Sequence, residues 1–213
     1  MLVIVDACGG NLRSVARALA AAGGAPIVSS DPAVVRGAER VVIPGQGAFA
    51  PFMRGLAERG LGDALRDVLA DGTPMLGICL GLQVLFERSA EVDGHAAARP
   101  GAGLPGLGLI AGTVELLHPT TPSAKVPHIG WNPVQRPATA PPEPLLDGIA
   151  DGTAFYFVHS YAAQPRDPAT IALTCDHGGP VVAAVRHRNL FACQFHPEKS
   201  QSVGLRLLAN FVR

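Results

Sequence analysis

A cysteine set between two glycines, in "GICLG" at residues 77–81, is the first place in this chain where residue type and spacing suggest chemistry. A sharp turn from a buried strand into a helix lifts the side chain at its apex out of the packed layers. This is the nucleophile-elbow geometry, with Cys79 standing where serine is common. Gly77 and Gly81 remove side chains where strand and helix would collide. The turn aims the amino end of the helix at the sulfur, a setting that favours negative charge there. It also leaves the backbone N–H of Leu80 free to hold an oxyanion. A buried cysteine packed as a small hydrophobe would carry the same glycine bracket, so the distinction rests on whether the chain supplies a base.

Seven histidines are available, and the most informative lies in "ACQFHPEKS" at residues 192–200. Along an extended strand alternate residues share a face. Phe191, Cys193 and Phe195 therefore point one way, and Ala192, Gln194 and His196 the other. Cys193 becomes a core residue, back to back with the histidine. Pro197 biases His196 away from helical geometry. Glu198 falls on the histidine's side if the chain stays extended. A carboxylate beside an imidazole fixes its tautomer and stabilises the imidazolium. Cys79, His196 and Glu198 form a triad candidate in that chain order. A surface histidine at a strand end is the bland alternative. A third signal is "IPGQGAF" at 43–49, a Gly-x-Gly turn around Gln46 at a strand end. Strand carboxyl ends gather on one edge of a parallel sheet, where such a turn can aim backbone N–H groups at an oxyanion.

The elements that must position these groups read as alternating strands and helices. "LVIV" at residues 2–5 is a continuous apolar run, as suits a strand buried on both faces. Leu12, Val15, Ala16 and Leu19 have helical spacing, with Asn11 as the predicted N-cap. "APIVSS" reads as a second strand, Asp31-Pro32 as a helix start, and "RVVIPG" as a third strand. Helices follow around 49–59 and 61–71, then the strand "PMLGIC" and a helix over about 81–88. In the second half, strands are predicted at 113–117, 154–158, 170–174, 181–186 and 190–195. A closing helix over about 203–212 places Leu205, Leu208 and Phe211 on its apolar face. The stretch 92–106 reads as a Gly/Pro loop of unassigned role. The pattern predicts a single α/β domain over residues 1–213, with a mostly parallel central sheet and helices on both faces.

Length and composition narrow the function classes. The 213 residues are enough for a sizeable core, and 48% are apolar. Lys+Arg and Asp+Glu number 17 each. With no basic stripe, neither nucleic acid nor an anionic membrane is an expected partner. No run is long enough to span a bilayer, and the N-terminus reads as a strand rather than a signal peptide. The four cysteines show no metal spacing and no disulfide framework, which suits a reducing cytoplasm. Cys8 and Cys175 are read as packed side chains.

Taken together, "PGQGAF" (44–49), "GICLGLQ" (77–83) and "FHPEKS" (195–200) resemble the class I (triad) glutamine amidotransferases, whose fold is flavodoxin-like. "GNLRSV" (10–15), "VPHIGWN" (126–132), "FYFVHSY" (155–161) and "FHPEKSQSVGLRLLANF" (195–211) are similar to the glutaminase subunits of imidazole glycerol phosphate synthase. The resemblance spans nearly the whole chain. It implies hydrolysis of glutamine to glutamate and ammonia, with Cys79 as nucleophile, His196 as acid and base, and Glu198 as its orienting group. The implied oxyanion hole combines the Leu80 N–H with one from the Gln46–Gly47 turn. Gln83, Glu91, Ser160 and Tyr161 would hold the substrate. A (β/α)8-barrel cyclase would be the heterodimer partner that receives the ammonia for histidine biosynthesis. Asn11, Arg13, His128, Trp131, Asn132 and Lys199 would face that partner. The resemblance implies no metal and no organic cofactor. "DACGGN" and Gln46 depart from the usual pattern of the first turn and of the Gly-x-Gly turn. Amidotransferases serving pyridoxal phosphate, GMP or anthranilate synthesis share the elbow but should lack "PHIGWN" and "GNLRSV". A non-catalytic module on the same fold would be expected to have lost the cysteine or histidine.

Overall fold

Alternation of buried residues between two opposite clusters explains why the first strands sit where they do. The computed structural model describes residues 1–91, 103–138 and 140–213. In strand β1 (Leu2–Val5), Leu2 and Ile4 face one apolar cluster, and Val3 and Val5 face another. A strand with both faces dry belongs inside a sheet covered by helices on each side. The order continues with α1 (Leu12–Ala21), β2 (Pro26–Ser29), α2 (Pro32–Arg36), β3 (Arg40–Gly45), α3 (Phe49–Glu58), α4 (Leu61–Ala70), β4 (Met75–Cys79) and α5 (Leu80–Gln83). Then come β5 (Phe86–Ser89), β6 (Leu104–Pro105), β7 (Ile110–Leu116), β8 (His128–Gln135), β9 (Ala154–His159), β10 (Tyr161–Pro165) and β11 (Ile171–Asp176). Strands β12 (Pro180–His187) and β13 (Leu190–Cys193) precede α6 (Gln201–Val212).

The main sheet has nine strands in the order β2-β1-β3-β4-β13-β12-β11-β8-β9. Strands β2, β1, β3, β4 and β13 run parallel, and the ladder turns antiparallel from β12 onward. Buried residues of α2, α3 and α4 cover one face, and those of α1 and α6 the other. A second sheet has the order β10-β7-β5-β6, and its Phe86, Val114 and Ala163 join the apolar cluster that α2, α3 and α4 cover. No helix among the described residues is long and apolar enough to cross a membrane.

Three sequence expectations change. The helix predicted over 81–88 is one turn, Leu80–Gln83, and Phe86–Ser89 is strand instead. Val84, Leu85 and Phe86 are all fully buried, so an apolar run served by either conformation is settled by pairing with distant β7, where Phe86 meets Ile110. The closing helix begins earlier, and its buried face is Gly204, Leu207, Leu208 and Phe211, with Leu205 exposed. Gly204 sets that rotation: a Cβ there would sit 1.8 Å from the Pro197 carbonyl oxygen, so this face must lie against the turn. Asn11 precedes α1 but makes no side-chain cap; its amide is used elsewhere. The loop expected at 92–106 lies mostly outside the described residues.

Candidate active site

The turn from β4 into α5 is built around a residue in an uncommon conformation. Cys79 has φ 54° and ψ −110°, in a region where non-glycine residues are held only by their surroundings. The surroundings here are tight. A Cβ on Gly81 would lie 1.8 Å from the Ile43 carbonyl oxygen, and one on Gly45 would lie 2.7 Å from the Gly81 nitrogen. Strand β3 and the first turn of α5 thus touch backbone to backbone. Leu80 opens α5, so its N–H has no acceptor within the helix.

His196 follows the end of the neighbouring strand, three residues past β13. β13 pairs parallel with β4, Cys193 opposite Ile78. The alternation expected of 191–196 appears: Phe191, Cys193 and Phe195 lie in one cluster and Ala192 in the other. Cys193 is fully buried, and burial pushes its thiol well above the ordinary range. The histidine backbone is tied at both ends. Its N–H donates to Tyr156 O at 2.9 Å, and its carbonyl accepts from the Ser200 hydroxyl at 2.7 Å. Glu198 reaches the ring by a route that strand alternation does not anticipate. Residues Pro197–Lys199 form a 3-10 turn rather than an extended segment, and the turn folds Glu198 back on the ring. His196 Nδ1 donates to Glu198 Oε1 at 2.7 Å, with the carboxylate side chain fully shielded from solvent. The amide of Asn11 donates to the same oxygen, linking the first loop to this pair. Burial works against charge on the imidazole. The Cys79 sulfur, hydrogen-bonded to the ring, and the Glu198 carboxylate outweigh it and raise the His196 pKa to about 9. The structure therefore brings Cys79, His196 and Glu198 together, with the ring hydrogen-bonded to both of the others.

A cavity of about 800 Å³ opens over Cys79 and His196, a size typical of small-molecule sites. Gln46, Gly47, Leu80, Gln83, Glu91, Ser160, Tyr161 and Lys199 all line it. Gln83 donates from Nε2 to Gln194 Oε1 and to the Tyr161 carbonyl, both at 3.0 Å. Cys8 also borders the cavity and is exposed, not packed as expected; Cys175 is buried in β11, where burial pushes its thiol up to about 12. No group of three or more His, Cys, Asp or Glu among the described residues is placed to hold a metal ion.

The residues assigned to a partner face separate into two sets. Trp131 is 48% exposed on β8, beside the still more exposed Ile129. Its indole meets the Tyr156 ring edge-on, and Lys199 Nζ lies 6.0 Å from the same ring, so Trp131, Tyr156 and Lys199 form one continuous surface. Tyr156 is absent from the sequence-based set, although its alternation with the buried Phe155 and Phe157 points outward. Arg13 is exposed on α1. His128, by contrast, is buried, stacked between Phe157 and His177. His128 Nδ1 lies 3.0 Å from His159 Nε2, His159 Nδ1 lies 2.9 Å from the Tyr161 carbonyl, and Asn132 Nδ2 lies 3.1 Å from His128 Nε2.

This histidine pair makes a pH prediction. Burial lowers the pKa of His128 to about 4 and of His159 to about 3, with neighbouring histidines adding to it. An unfolded histidine titrates near 6.5. Below that pH the unfolded chain binds protons that the folded rings refuse, so stability falls as pH drops from about 6.5 toward about 4. His196 has the opposite sign: its contribution is complete below about 6.5 and is lost as pH rises to about 9. Thermal melts between pH 7 and 4 should show the acid loss, with a shallower slope in His159→Gln. An unchanged slope would show that the pair does not control it.

A thiol, an imidazole and a carboxylate gathered at a strand-to-helix elbow beside a cavity are the group types that thiol-dependent acyl transfer uses. The family model for class-I glutamine amidotransferases matches residues 3–213. The imidazole glycerol phosphate synthase subunit HisH of Rhodospirillum rubrum is 46% identical over 220 residues, covering 100% of this chain and 98% of that protein. The subunit of the same name from Dechloromonas aromatica is 48% identical over 219 residues, covering 99% and 95%. Among solved structures, a putative GMP synthase protein from Thermoplasma acidophilum superposes with a TM-score of 0.69 at 22% identity, covering 99% of this chain and 91% of that one, a likeness of fold. The chain belongs to the class-I glutamine amidotransferases and, within them, to the family of the imidazole glycerol phosphate synthase subunit HisH.

Proposed function

We propose that residues 1–213 act as one glutaminase domain, with Cys79, His196 and Glu198 as its triad, supplying ammonia to a (β/α)8-barrel cyclase subunit. The observation that carries this reading is the contact of the His196 ring with both the Cys79 sulfur and the Glu198 carboxylate, with sulfur and imidazole bordering the cavity. Cys79 attacks the side-chain amide carbon of glutamine. The developing oxyanion is held by the Leu80 N–H and by an N–H of the Gln46–Gly47 turn. The imidazolium of His196 gives its proton to the departing nitrogen, so ammonia leaves and a γ-glutamyl thioester remains. Neutral His196 then takes a proton from water, hydroxide adds to the thioester carbon, and the thiolate departs with glutamate as product. Gln83, Glu91, Ser160 and Tyr161 hold the amino-acid end of the substrate. The Trp131–Tyr156–Lys199 surface, with Ile129, docks the cyclase in a cytoplasmic heterodimer that serves histidine biosynthesis.

The test is coupling. The isolated chain should hydrolyse glutamine slowly, and the rate should rise strongly once the cyclase and its nucleotide ligand are added. Full activity without the partner would overturn the coupling. A second expected result concerns Glu198. Glu198→Gln keeps the shape but cannot stabilise the imidazolium, so kcat should fall by roughly 10²- to 10⁴-fold with KM little changed. Steady-state glutaminase assays of the complex read both constants, and a wild-type kcat would remove Glu198 from the triad.

A further inference from the structure

Gln194 lies one residue beyond β13, with no exposed surface and no part in the cavity wall. Its Nε2 is 3.5 Å from Cys79 Sγ, placed to donate. Its Oε1 accepts from Gln83 Nε2 at 3.0 Å. This orientation is enforced by its surroundings. A flipped Gln194 amide would set two NH₂ groups against each other and present an oxygen to the sulfur. Gln83 is fixed in turn, because its second N–H donates to the Tyr161 carbonyl. A carbonyl can only accept. His159, bonded to that carbonyl through Nδ1, therefore carries its proton there and accepts at Nε2 from His128 Nδ1, and His128 Nε2 accepts from Asn132. Every member of the chain has one permitted sense, and its last donor points at the sulfur.

The geometry points to Gln194 as a positioning residue for the nucleophile: from behind the elbow, its amide N–H holds the Cys79 sulfur in line with His196 and with the substrate carbonyl. The sulfur then has a donor on the side away from the cavity and an imidazole on the other, and its direction of attack is set before glutamine arrives. Displacing a reacting atom by about 1 Å can cost on the order of 100-fold in rate. The inference rests on the reading of Cys79 as the nucleophile, which the alanine variant of that residue tests independently.

Two variants of the complete heterodimer test it. Gln194→Met keeps the length and removes the donor. Gln194→Glu keeps an acceptor for Gln83 and replaces the donor with an oxygen. Both should lower glutamine-dependent kcat by roughly 10- to 100-fold. KM for glutamine should stay within about twofold in Gln194→Glu, which keeps the acceptor that orients Gln83. Ammonia-dependent turnover by the partner should be retained, which establishes that both variants fold and dock. Alkylation of the Cys79 peptide by iodoacetamide, followed by mass spectrometry, should slow alongside kcat. A packing role alone predicts lower melting temperatures with kcat and Cys79 alkylation at wild-type values, at least in the isosteric glutamate variant. That result, or a rise of KM in Gln194→Glu proportional to its loss of kcat, overturns the assignment.

Discussion

Replacement of Cys79 by alanine should abolish glutamine hydrolysis and leave ammonia-dependent synthesis by the complex intact. Hydrolysis through a thioester requires a sulfur at the apex of the elbow, and no other group there can replace it. Cys193 is fully buried in the core with its thiol pushed far up. Cys8 borders the same cavity but sits in the first loop, away from the elbow. Loss of a nucleophile in a coupled triad costs on the order of 10⁵-fold or more, because the remaining members have nothing to act on. Exogenous ammonia bypasses this chemistry, so the partner's turnover with ammonium salts should remain near the wild-type rate. The paired assay, glutamine against ammonia, separates loss of the nucleophile from loss of the complex. Glutamine hydrolysis surviving in the alanine variant would falsify the role of Cys79.

The second large effect should come from a single added methyl group. Gly81→Ala places a Cβ 1.8 Å from the Ile43 carbonyl oxygen, far inside van der Waals contact. The obstacle is backbone, part of the strand-end ladder in which Gly45 pairs with Cys79. Relief therefore requires β3 and the α5 turn to move apart, and that movement displaces both the Leu80 N–H and the Gln46–Gly47 turn. Destabilisation above about 4 kcal/mol is the range reserved for such clashes in packed interiors. Chemical denaturation should show a loss of this size, and glutaminase activity should vanish even in the folded fraction. A variant with near wild-type stability and activity would mean that the elbow is far more pliable than its contacts indicate.

Much of this site is legible in the sequence because it is encoded locally. Gly77 and Gly81 around Cys79 mark a turn that only small residues permit. The two-residue period from Phe191 to His196 assigns core and site faces without reference to the rest of the chain. What escapes is what depends on distant partners. The apolar stretch around Val84–Phe86 satisfies helix and strand alike, and its pairing with β7, more than twenty residues on, decides the matter. Asn11 has the chemistry of a helix cap, but the same amide reaches Glu198 across 187 positions of sequence. His128 sits in a motif with an exposed tryptophan, yet the strand's alternation turns the imidazole inward while Ile129 and Trp131 face solvent. Glu198 does meet His196, but a tight turn and not an extended chain delivers it. Gln194 can be placed on the site face from its period alone, but its target, a sulfur on another strand, emerges only once the sheet order is known.

That sheet order has a consequence for how freely the chain can vary. The sulfur ends β4 and the imidazole follows the end of β13, its parallel neighbour in the sheet, so their relation is set by the pairing of those two strands. The hundred-odd residues between them leave this neighbourhood and return to it. Additions or deletions at the far reaches of that excursion change its length without altering the distance the reaction depends on.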